Sequence, residues 1–376
     1  MKTSRLEVPE EEHTRFALGL DRALRADGAS HVWSPYSAGT VLGLLTAGAG
    51  GRTRRELTDL VAPVSGGLEG HLAALNSAVE AEDGLDLGTL NGLYVPADLP
   101  LRAEFEELVR GQSNAEVDQV DFRGDAEGVR RKVNDRVSQV TRALIPELLS
   151  SGTVHPDVRM LLVNALWVKL AWRDPFEAAQ TRDRPFHAPS GTHRVPTMHR
   201  TGRMTCAEHS GWRMVSLAGE HGLTLDVIMR QSSRAERSAL PHLDHEALSG
   251  LHKNRRDEQV NLALPRFTVS TKAELLEPLA ESPARVRDLA TDEADFSGIS
   301  PEPLKVDAIV HQAVLNVDEK GAEGAAATAA VMVMSAAVPP KAKDFAVDRP
   351  FVFVLRRHEA VLFMGRVLDP EDPGPA

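Results

Sequence analysis

The chain has 376 residues with 43 basic and 54 acidic side chains, which gives a formal net charge of −11. Nucleic acids and anionic membranes bind basic surfaces, so this balance argues against either as the main partner. The apolar share of 42% and the charged share of 26% are typical of a globular protein. The first 13 residues lack the apolar core of a signal peptide, and the single cysteine, Cys206, cannot form an intrachain disulfide. We therefore expect a cytoplasmic location.

The first part of the chain predicts helices. Apolar residues recur there at four-residue spacing: Phe16, Leu20 and Leu24. Ser34-Pro35 is typical of a helix N-cap followed by proline at the first helical position, and Thr53-x-x-Glu56 of a capping box that opens a short helix. A further helix is predicted over residues 126–144, with one valine face: Val129, Val133, Val137 and Val140.

The middle and the end of the chain predict strands. Residues 160–168 are nearly all apolar, as in a central strand buried on both faces. Other strand-like runs follow, over residues 260–264, 267–269, 309–317, 351–355 and 361–367. The last two are separated by Arg357-His-Glu359, which predicts a hairpin. Helices first and strands later indicate an α+β architecture.

Patterns typical of enzymes and metal sites are scarce. His242-x-x-His245 has no third ligand at a suitable spacing, which favours a solvated loop over a metal site. Three further histidines at six-residue spacing match no ligand geometry: His187, His193 and His199. A lone Cys206 in a strand-like run is more often a small core residue than a nucleophile. We therefore expect neither a metal, a cofactor nor an enzymatic activity.

The segment from Val317 to Ala330 has an unusual composition: Val-Asp-Glu-Lys-Gly-Ala-Glu-Gly-Ala-Ala-Ala-Thr-Ala-Ala. It resembles the hinge of a serpin reactive-centre loop. Further segments match the serpin family in the family's order: Trp33-Ser-Pro-Tyr-Ser37, Val120-Asp-Phe122 before Val133-Asn134, Leu162-Val-Asn-Ala-Leu-Trp167, Trp172-Arg-Asp-Pro-Phe176, Asp348-Arg-Pro-Phe-Val-Phe-Val354 and Leu362-Phe-Met-Gly-Arg-Val367. The chain is thus identified as a member of the serpin family, and its arginine bias fits a bacterial one.

The resemblance implies a fold and a mechanism. Serpins have helices packed around three β-sheets and an exposed, mobile reactive-centre loop. A protease attacks the loop at a bait bond and becomes acylated by it, and the cleaved loop then inserts into the main sheet as a new strand, which distorts the protease before it can deacylate. The energy comes from a native state that is kinetically trapped. The expected organisation is one serpin domain over residues 1–370, with the loop at about 319–347 and a disordered tail over 371–376.

The loop hinge fits insertion, because a strand that enters a sheet must present a buriable residue at every second position. The resemblance gives a hinge of Glu319, Gly321, Ala322, Gly324, Ala326 and Thr328, and its inward positions are small and uncharged. Glu323 falls on the opposite face. Ala322 and Gly324 depart from the family's usual threonine and alanine, and Gly324 should slightly weaken the inserted strand.

The family's spacing places the bait bond at Ser335–Ala336, and a shift of one residue gives Met334–Ser335. No Lys or Arg lies between Val331 and Pro340, so a protease with an acidic specificity pocket finds no partner. We expect chymotrypsin-like, elastase-like or subtilisin-like serine proteases as covalently trapped partners.

Further residues of this chain match individual serpin positions that have structural roles in the family. Four residues match the polar cluster under the sheet, called the shutter: Ser34, Ser37, Asn164 and His311. Three match the breach, where insertion begins: Trp172 and Glu319, with Arg266 as the candidate charge partner. Residues 61–84 hold no basic cluster, so heparin activation is not expected. A monomer is expected. The alternative to an inhibitor is a serpin-fold protein that acts only as a binder or protease substrate.

Overall fold

The computed structural model describes residues 11–24, 28–61, 67–80, 82–112, 115–231, 240–281, 286–320, 342–358 and 360–374. The chain divides into two compact units. The first comprises residues 1–168, 270–315 and 354–365, and the second comprises residues 169–269, 316–353 and 366–376.

The described residues form eight α-helices. They are α1 (Glu11–Leu24), α2 (Pro35–Gly48), α3 (Gly51–Val61), α4 (Gly67–Ala78), α5 (Ala103–Arg110), α6 (Ala126–Val140), α7 (His245–Lys253) and α8 (Leu276–Glu281). Among the parts of the chain that are described, no helix has both the length and the apolar character needed to cross a membrane.

Fourteen strands accompany these helices within the described ranges. They are β1 (His31–Trp33), β2 (Leu87–Pro96), β3 (Ala115–Val120), β4 (Leu161–Val168), β5 (Arg182–Ala188), β6 (Gly191–His209), β7 (Trp212–Ala218), β8 (Leu223–Arg230), β9 (Arg256–Pro265), β10 (Phe267–Glu274), β11 (Ala308–Val317), β12 (Lys343–Ala346), β13 (Phe351–Arg357) and β14 (Ala360–Val367). The α+β fold is confirmed.

Most of a five-stranded sheet lies in the first unit, with the strand order β10-β11-β4-β2-β3. β4 is its central strand, and seven of its eight residues are buried, as the apolar sequence predicts. The pair of β11 and β4 is parallel, with a ladder from Ala308–Leu161 to Ala313–Leu166. β2 is antiparallel to β4 on the other side.

The core of the first unit includes the interface between helix α6 and this sheet. Val129, Val133 and Val137 are buried together with residues of β4 that include Leu161 and Val163. The valine spacing therefore predicted the helix face that packs on the sheet. The helix is shorter than predicted, since it ends at Val140 and is followed by two residues with positive φ, Arg142 and Ala143.

The second unit holds the strand series β8-β7-β6-β9-β12, with β5 also paired to β6. β6 has 19 residues and pairs with β5 and β9 over its first part and with β7 over its last residues. The family resemblance implies three sheets, whereas the described strands form two. The long β6 explains this difference, because it joins strands that would otherwise belong to separate sheets.

The starts of helices α2 and α3 differ in how well the sequence anticipated them. At α2 the side chain of Ser34 accepts a hydrogen bond from the N–H of Ser37, and Pro35 is the first helical residue, as predicted. The capping box at Thr53 is wrong. Helix α3 begins at Gly51, which has a φ of +50°, and the Thr53 hydroxyl instead accepts from the N–H of Asp295 at 3.0 Å.

The ordered chain continues beyond residue 370, the domain boundary expected from the sequence. The carbonyl oxygen of Glu371 accepts a hydrogen bond of 2.8 Å from the N–H of Thr268, and Asp372 pairs with Arg266 at 3.1 Å. Residues 375–376 lie outside the described ranges. The start of the expected disordered tail thus has defined contacts in the second unit.

Candidate functional site

The shutter residues of the first unit meet in one row across the sheet. In the strand register, Asn164 of β4 lies opposite His311 of β11 on one side and opposite Asn91 of β2 on the other. Ser34 and Ser37 approach this row from the start of helix α2. The structure therefore brings together the four residues that the family resemblance assigned to the shutter.

His311 joins helix α2 to the central strand. Its Nε2 accepts a hydrogen bond of 3.1 Å from the N–H of Ser34, so in the neutral ring its Nδ1 carries the proton and donates it to Asn164 Oδ1. His311 is 0% exposed, and burial lowers its pKa to about 3. The ring is therefore neutral at neutral pH.

Asn91 completes the network, although the sequence analysis did not single it out. Its Oδ1 accepts from Asn164 Nδ2 at 2.7 Å and from the Ser37 hydroxyl at 2.9 Å. It lies in the apolar run Leu90-Asn-Gly-Leu-Tyr-Val95 and is 1% exposed. A polar residue inside a buried-looking strand was the signal that pointed to Asn164, and the same signal was present here.

The breach residues of the second unit surround the point where the chain leaves β11. Trp172 Nε1 donates a hydrogen bond of 2.8 Å to the carbonyl oxygen of Asp318. The indole packs edge-on against Phe176, with ring centroids 6.1 Å apart, and the N–H of Phe176 donates to the carbonyl oxygen of Glu319 at 2.9 Å. Hydrogen bonds therefore hold the backbone of this segment, and the Glu319 side chain is buried, at 2% exposed.

The Glu319 carboxylate faces Arg266 at a long distance. Arg266 Nη1 lies 3.8 Å from Glu319 Oε1, while Arg266 Nε lies 3.1 Å from Asp372 Oδ1. Thr181 donates its hydroxyl hydrogen to Glu319 Oε1, and Oε2 has no hydrogen-bond partner among the described residues. One arginine is thus shared between two carboxylates. Nothing in the sequence identifies Thr181 or Asp372 as a partner of the breach residues, because both are distant from Glu319 along the chain.

Most of the loop residues lie outside the described ranges. They are the hinge residues Gly321, Ala322, Gly324, Ala326 and Thr328, and the bait-bond residues Met334, Ser335 and Ala336. The described chain resumes at residue 342, and β12 begins at Lys343, inside the range expected for the loop. β12 runs parallel to β9, so this part of the expected loop is a strand of the second unit.

The candidate sites that the sequence disfavoured have structural contacts. His187 Nδ1 bonds to the Thr192 hydroxyl at 2.9 Å, and His193 pairs with Asp369 at 2.9 Å. Among the residues with described positions, no group of three or more His, Cys, Asp or Glu side chains could hold a metal ion. Cys206 is buried, and its burial raises the pKa of the thiol to about 11, as fits a core residue.

Comparison with known proteins decides the family. The family model for serpins (serine protease inhibitors) matches residues 11–370. The chain belongs to the serpin family. A serpin-like protein of Thermococcus kodakarensis is 31% identical over 375 residues, covering 95% of this chain and 84% of the relative. Most serpins are protease inhibitors and not enzymes.

Solved structures show the same fold. Serpin48 of the insect Tenebrio molitor, described as a highly specific serpin, superposes with a TM-score of 0.79 at 27% identity, covering 96% of this serpin and 97% of that chain. Thyroxine-binding globulin in complex with thyroxine reaches a TM-score of 0.81 at 22% identity, covering 96% and 99% of the two chains. The second likeness concerns the fold alone, so the fold does not by itself decide between inhibition and small-molecule binding.

Proposed function

We propose that this serpin is a suicide-substrate inhibitor of chymotrypsin-like, elastase-like or subtilisin-like serine proteases. The protease serine attacks the carbonyl carbon of Ser335, the peptide bond to Ala336 breaks, and the new amine takes the proton that the protease histidine removed from the serine. An ester then joins the two proteins. Insertion of the freed loop into the five-stranded sheet traps this ester before water hydrolyses it.

The observation that carries the proposal is the parallel pair of β11 and β4. The chain leaves β11 at Val317 and reaches the hinge at Glu319 two residues later. A segment that turns back there runs antiparallel to β11, and also antiparallel to β4, because these two strands are parallel to each other. One inserted strand therefore replaces one parallel ladder by two antiparallel ladders, which are slightly more stable per residue.

The composition of the hinge supports the same step. Between Gly321 and Ala330 the chain has only one charged residue, Glu323, and it falls on the outward parity. The inward positions are alanine, glycine and threonine, which cause little steric conflict with strands β11 and β4. The 17 residues from Glu319 to Ser335 span roughly 55–60 Å when extended, enough to run along a sheet of this size.

The residues before the bait bond support the choice of protease class. Ser335 and its neighbour Met334 are small or medium-sized and uncharged. A trypsin-like pocket would bury an acid without a cationic partner, which is unfavourable. A small or medium apolar pocket accepts either residue.

A serpin-fold protein that serves only as a binder or protease substrate is the second candidate. The observation in its favour is Gly324, because glycine loses more conformational entropy than alanine when a strand orders. A single glycine costs roughly 0.5–1 kcal/mol, which is small against the gain of two ladders along a whole strand.

A matched pair of loop variants tests the proposal. Purified serpin is incubated with chymotrypsin or subtilisin, and an SDS-resistant complex of higher mass is expected. Thr328→Arg must bury a charge during insertion, so it should be cleaved without trapping the protease. Ala327→Arg places the same charge on the outward face, so it should still trap.

Two results would overturn the proposal. The first is clean cleavage near Ser335 that leaves the protease fully active with the unmodified serpin. The second is equal trapping by Thr328→Arg and Ala327→Arg, which would contradict the assigned burial of alternate residues.

A further inference from the structure

The hairpin of β5 and β6 concentrates positive charge in an acidic protein. Residues 182–203 contain five arginines against one carboxylate, Asp183, although the whole chain has a net charge of −11. Four of the five arginines are exposed: Arg182, Arg184, Arg194 and Arg203. This concentration has no part in the proposed inhibitory step.

Strand register places two of these arginines side by side. Arg182 lies opposite Thr197 and Arg184 opposite Val195, so both share a sheet face with His199, two residues further along β6. Asp183 falls on the opposite face by alternation. We call Arg182 and Arg184 the cationic edge, since β5 pairs only with β6 among the described strands.

The cationic edge has no direct ion pair among the described residues. Arg182 donates to the carbonyl oxygens of Ala179 and Thr181, which are uncharged acceptors. Within the described ranges, neither arginine has a carboxylate oxygen within 4.0 Å. The pKa of His199 is lowered first by burial and then by the positive charges of Arg184 and Arg182.

The cationic edge lies in the same sheet as the strand that follows the loop. β5 pairs with β6, β6 with β9, and β9 with β12, so three strand spacings of about 4.8 Å separate β5 from β12. Thr197, the partner of Arg182, lies opposite Pro265, and Ala346 of β12 lies opposite Ala263. The Cα atoms of Arg182 and Ala346 are therefore about 16 Å apart.

A protease bound at the bait bond is tethered close to this face. Ala336 precedes Lys343 by seven residues, which span at most about 24 Å. A protease of about 220 residues has a radius of gyration of about 17 Å, so its body is about 44 Å across. A body of that size, tethered so near β12, can cover the cationic edge.

The geometry points to a second contact between this serpin and its target, in which Arg182 and Arg184 bind an acidic patch on the protease surface beside its active-site cleft. The inference rests on the proposed inhibitory function and adds a preference among the proteases that accept the bait residues. Opposite charges at the rim of an interface mainly raise the association rate, so proteases with an acidic rim should be trapped faster than others.

Two competing roles of the cationic edge lead to different outcomes. Charged residues on an edge strand also prevent edge-to-edge pairing between molecules. In that case charge reversal changes aggregation but not the inhibition rate. The second competing role is polyanion binding, in which case added heparin changes the rate through Arg182 and Arg184 whatever the surface charge of the protease.

The experiment measures the second-order rate constant for trapping a subtilisin, and for a version of it whose carboxylates around the cleft are changed to amides. Arg182→Glu/Arg184→Glu is compared with Arg54→Glu/Arg55→Glu, which makes the same charge change on exposed residues of helix α3. At low salt we expect the first variant to trap the natural subtilisin about 10-fold more slowly and the control less than about 2-fold. The difference should shrink in about 0.5 M NaCl and vanish with the amidated subtilisin.

The outcomes separate this inference from the proposed function. Equal rates for both double variants, with a normal complex on SDS gels, overturn the second contact and leave inhibition intact. A complex that never forms with the unmodified serpin overturns inhibition and the second contact with it. The inference is also overturned if heparin changes the trapping rate only when Arg182 and Arg184 are present and if the rate is the same for the natural and the amidated subtilisin. Retained far-UV circular dichroism controls for folding.

Discussion

The shutter and the breach hold the same sheet strand, β11 and its extension, by different physical means. The shutter is a neutral hydrogen-bond network in which Asn164, Asn91 and His311 are each 0–1% exposed and bonded to one another or to helix α2. The breach relies on charge: Glu319 is 2% exposed, its nearest cation is 3.8 Å away, and one of its oxygens has no partner among described residues.

This difference shows which region is better suited to change. A satisfied buried network is costly to disrupt, because every broken bond leaves a polar group without water or partner. A long, shared ion pair contributes less in the closed state, since the arginine also serves Asp372. We infer that the shutter keeps the strands together, whereas the breach sets how easily the sheet opens.

Charge reversal at the breach should have the strongest consequence. Glu319→Lys places a second cation beside Arg266 in a buried position, which should cost about 3–5 kcal/mol. The sheet should open more easily, and heating should convert monomers to polymers that size-exclusion chromatography detects. Glu302→Lys, on an exposed residue, serves as the control. Unchanged monomer content of the Glu319 variant after heating would contradict the proposed role.

The shutter should respond nearly as strongly to the loss of one amide. Asn164→Ala leaves His311 Nδ1 without its acceptor and Asn91 Oδ1 with one donor fewer, so the apparent free energy of unfolding should fall by about 3 kcal/mol. Asn261→Ala removes an exposed amide that accepts from the Thr201 hydroxyl and donates to Asp344, and because these bonds face water their loss should cost no more than about 1 kcal/mol. Chemical denaturation of the uncleaved protein measures both. Equal losses would remove the distinction between the shutter and surface polar groups.

Acid should weaken the first unit through its buried histidines. Burial lowers the pKa of His311 to about 3, and burial together with His71 lowers that of His13 to about 3. The unfolded chain binds protons near pH 6.5 that the folded rings reject, so stability is full above about pH 6.5 and falls towards about pH 3. Each pH unit in this window costs about 1.4 kcal/mol per histidine.

The slope of stability against pH checks this expectation. Denaturation midpoints between about pH 7 and pH 5 should fall less steeply in His311→Gln than in the unmodified protein. His155→Gln, at an exposed histidine, serves as the control. An unaltered slope in the His311 variant would show that this ring is not held neutral.

A single lost hydrogen bond at the breach should have the mildest consequence. Trp172→Phe removes the bond from Nε1 to the carbonyl oxygen of Asp318 but keeps an aromatic ring against Phe176. The free energy of unfolding should fall by about 1 kcal/mol. A loss above about 3 kcal/mol would mean that the breach is held as rigidly as the shutter.

The sequence predicted the elements whose pattern is local. Three signals depend only on residues that are close together in the sequence, so they could be recognised without knowing the fold. They are the valine spacing of α6, the Ser34-Pro35 start of α2 and the apolar run of β4. Asn164 was identified on the same basis, as a polar residue in a buried run.

The contacts that the sequence did not predict join residues that are far apart in the chain. Thr181 and Asp372 reach Glu319 and Arg266 only after folding, and Thr53 is used by Asp295, a residue 242 positions away. The number of sheets depended on how far β6 continues, which a run of mixed polar and apolar residues does not specify. The family resemblance supplied the shutter and breach assignments, whereas the partners of these residues are brought to them only by the folded chain.

Inhibition as proposed requires the cleaved loop to become a new strand between β11 and β4. The decisive test is thermal unfolding of the serpin before and after a single cut at the bait bond, with cleaved Thr328→Arg as the comparison. Strand insertion should give a large rise in the unfolding temperature of the cleaved unmodified protein and little rise in the cleaved variant. An unfolding temperature that stays the same after cleavage of the unmodified protein would show that no strand is inserted.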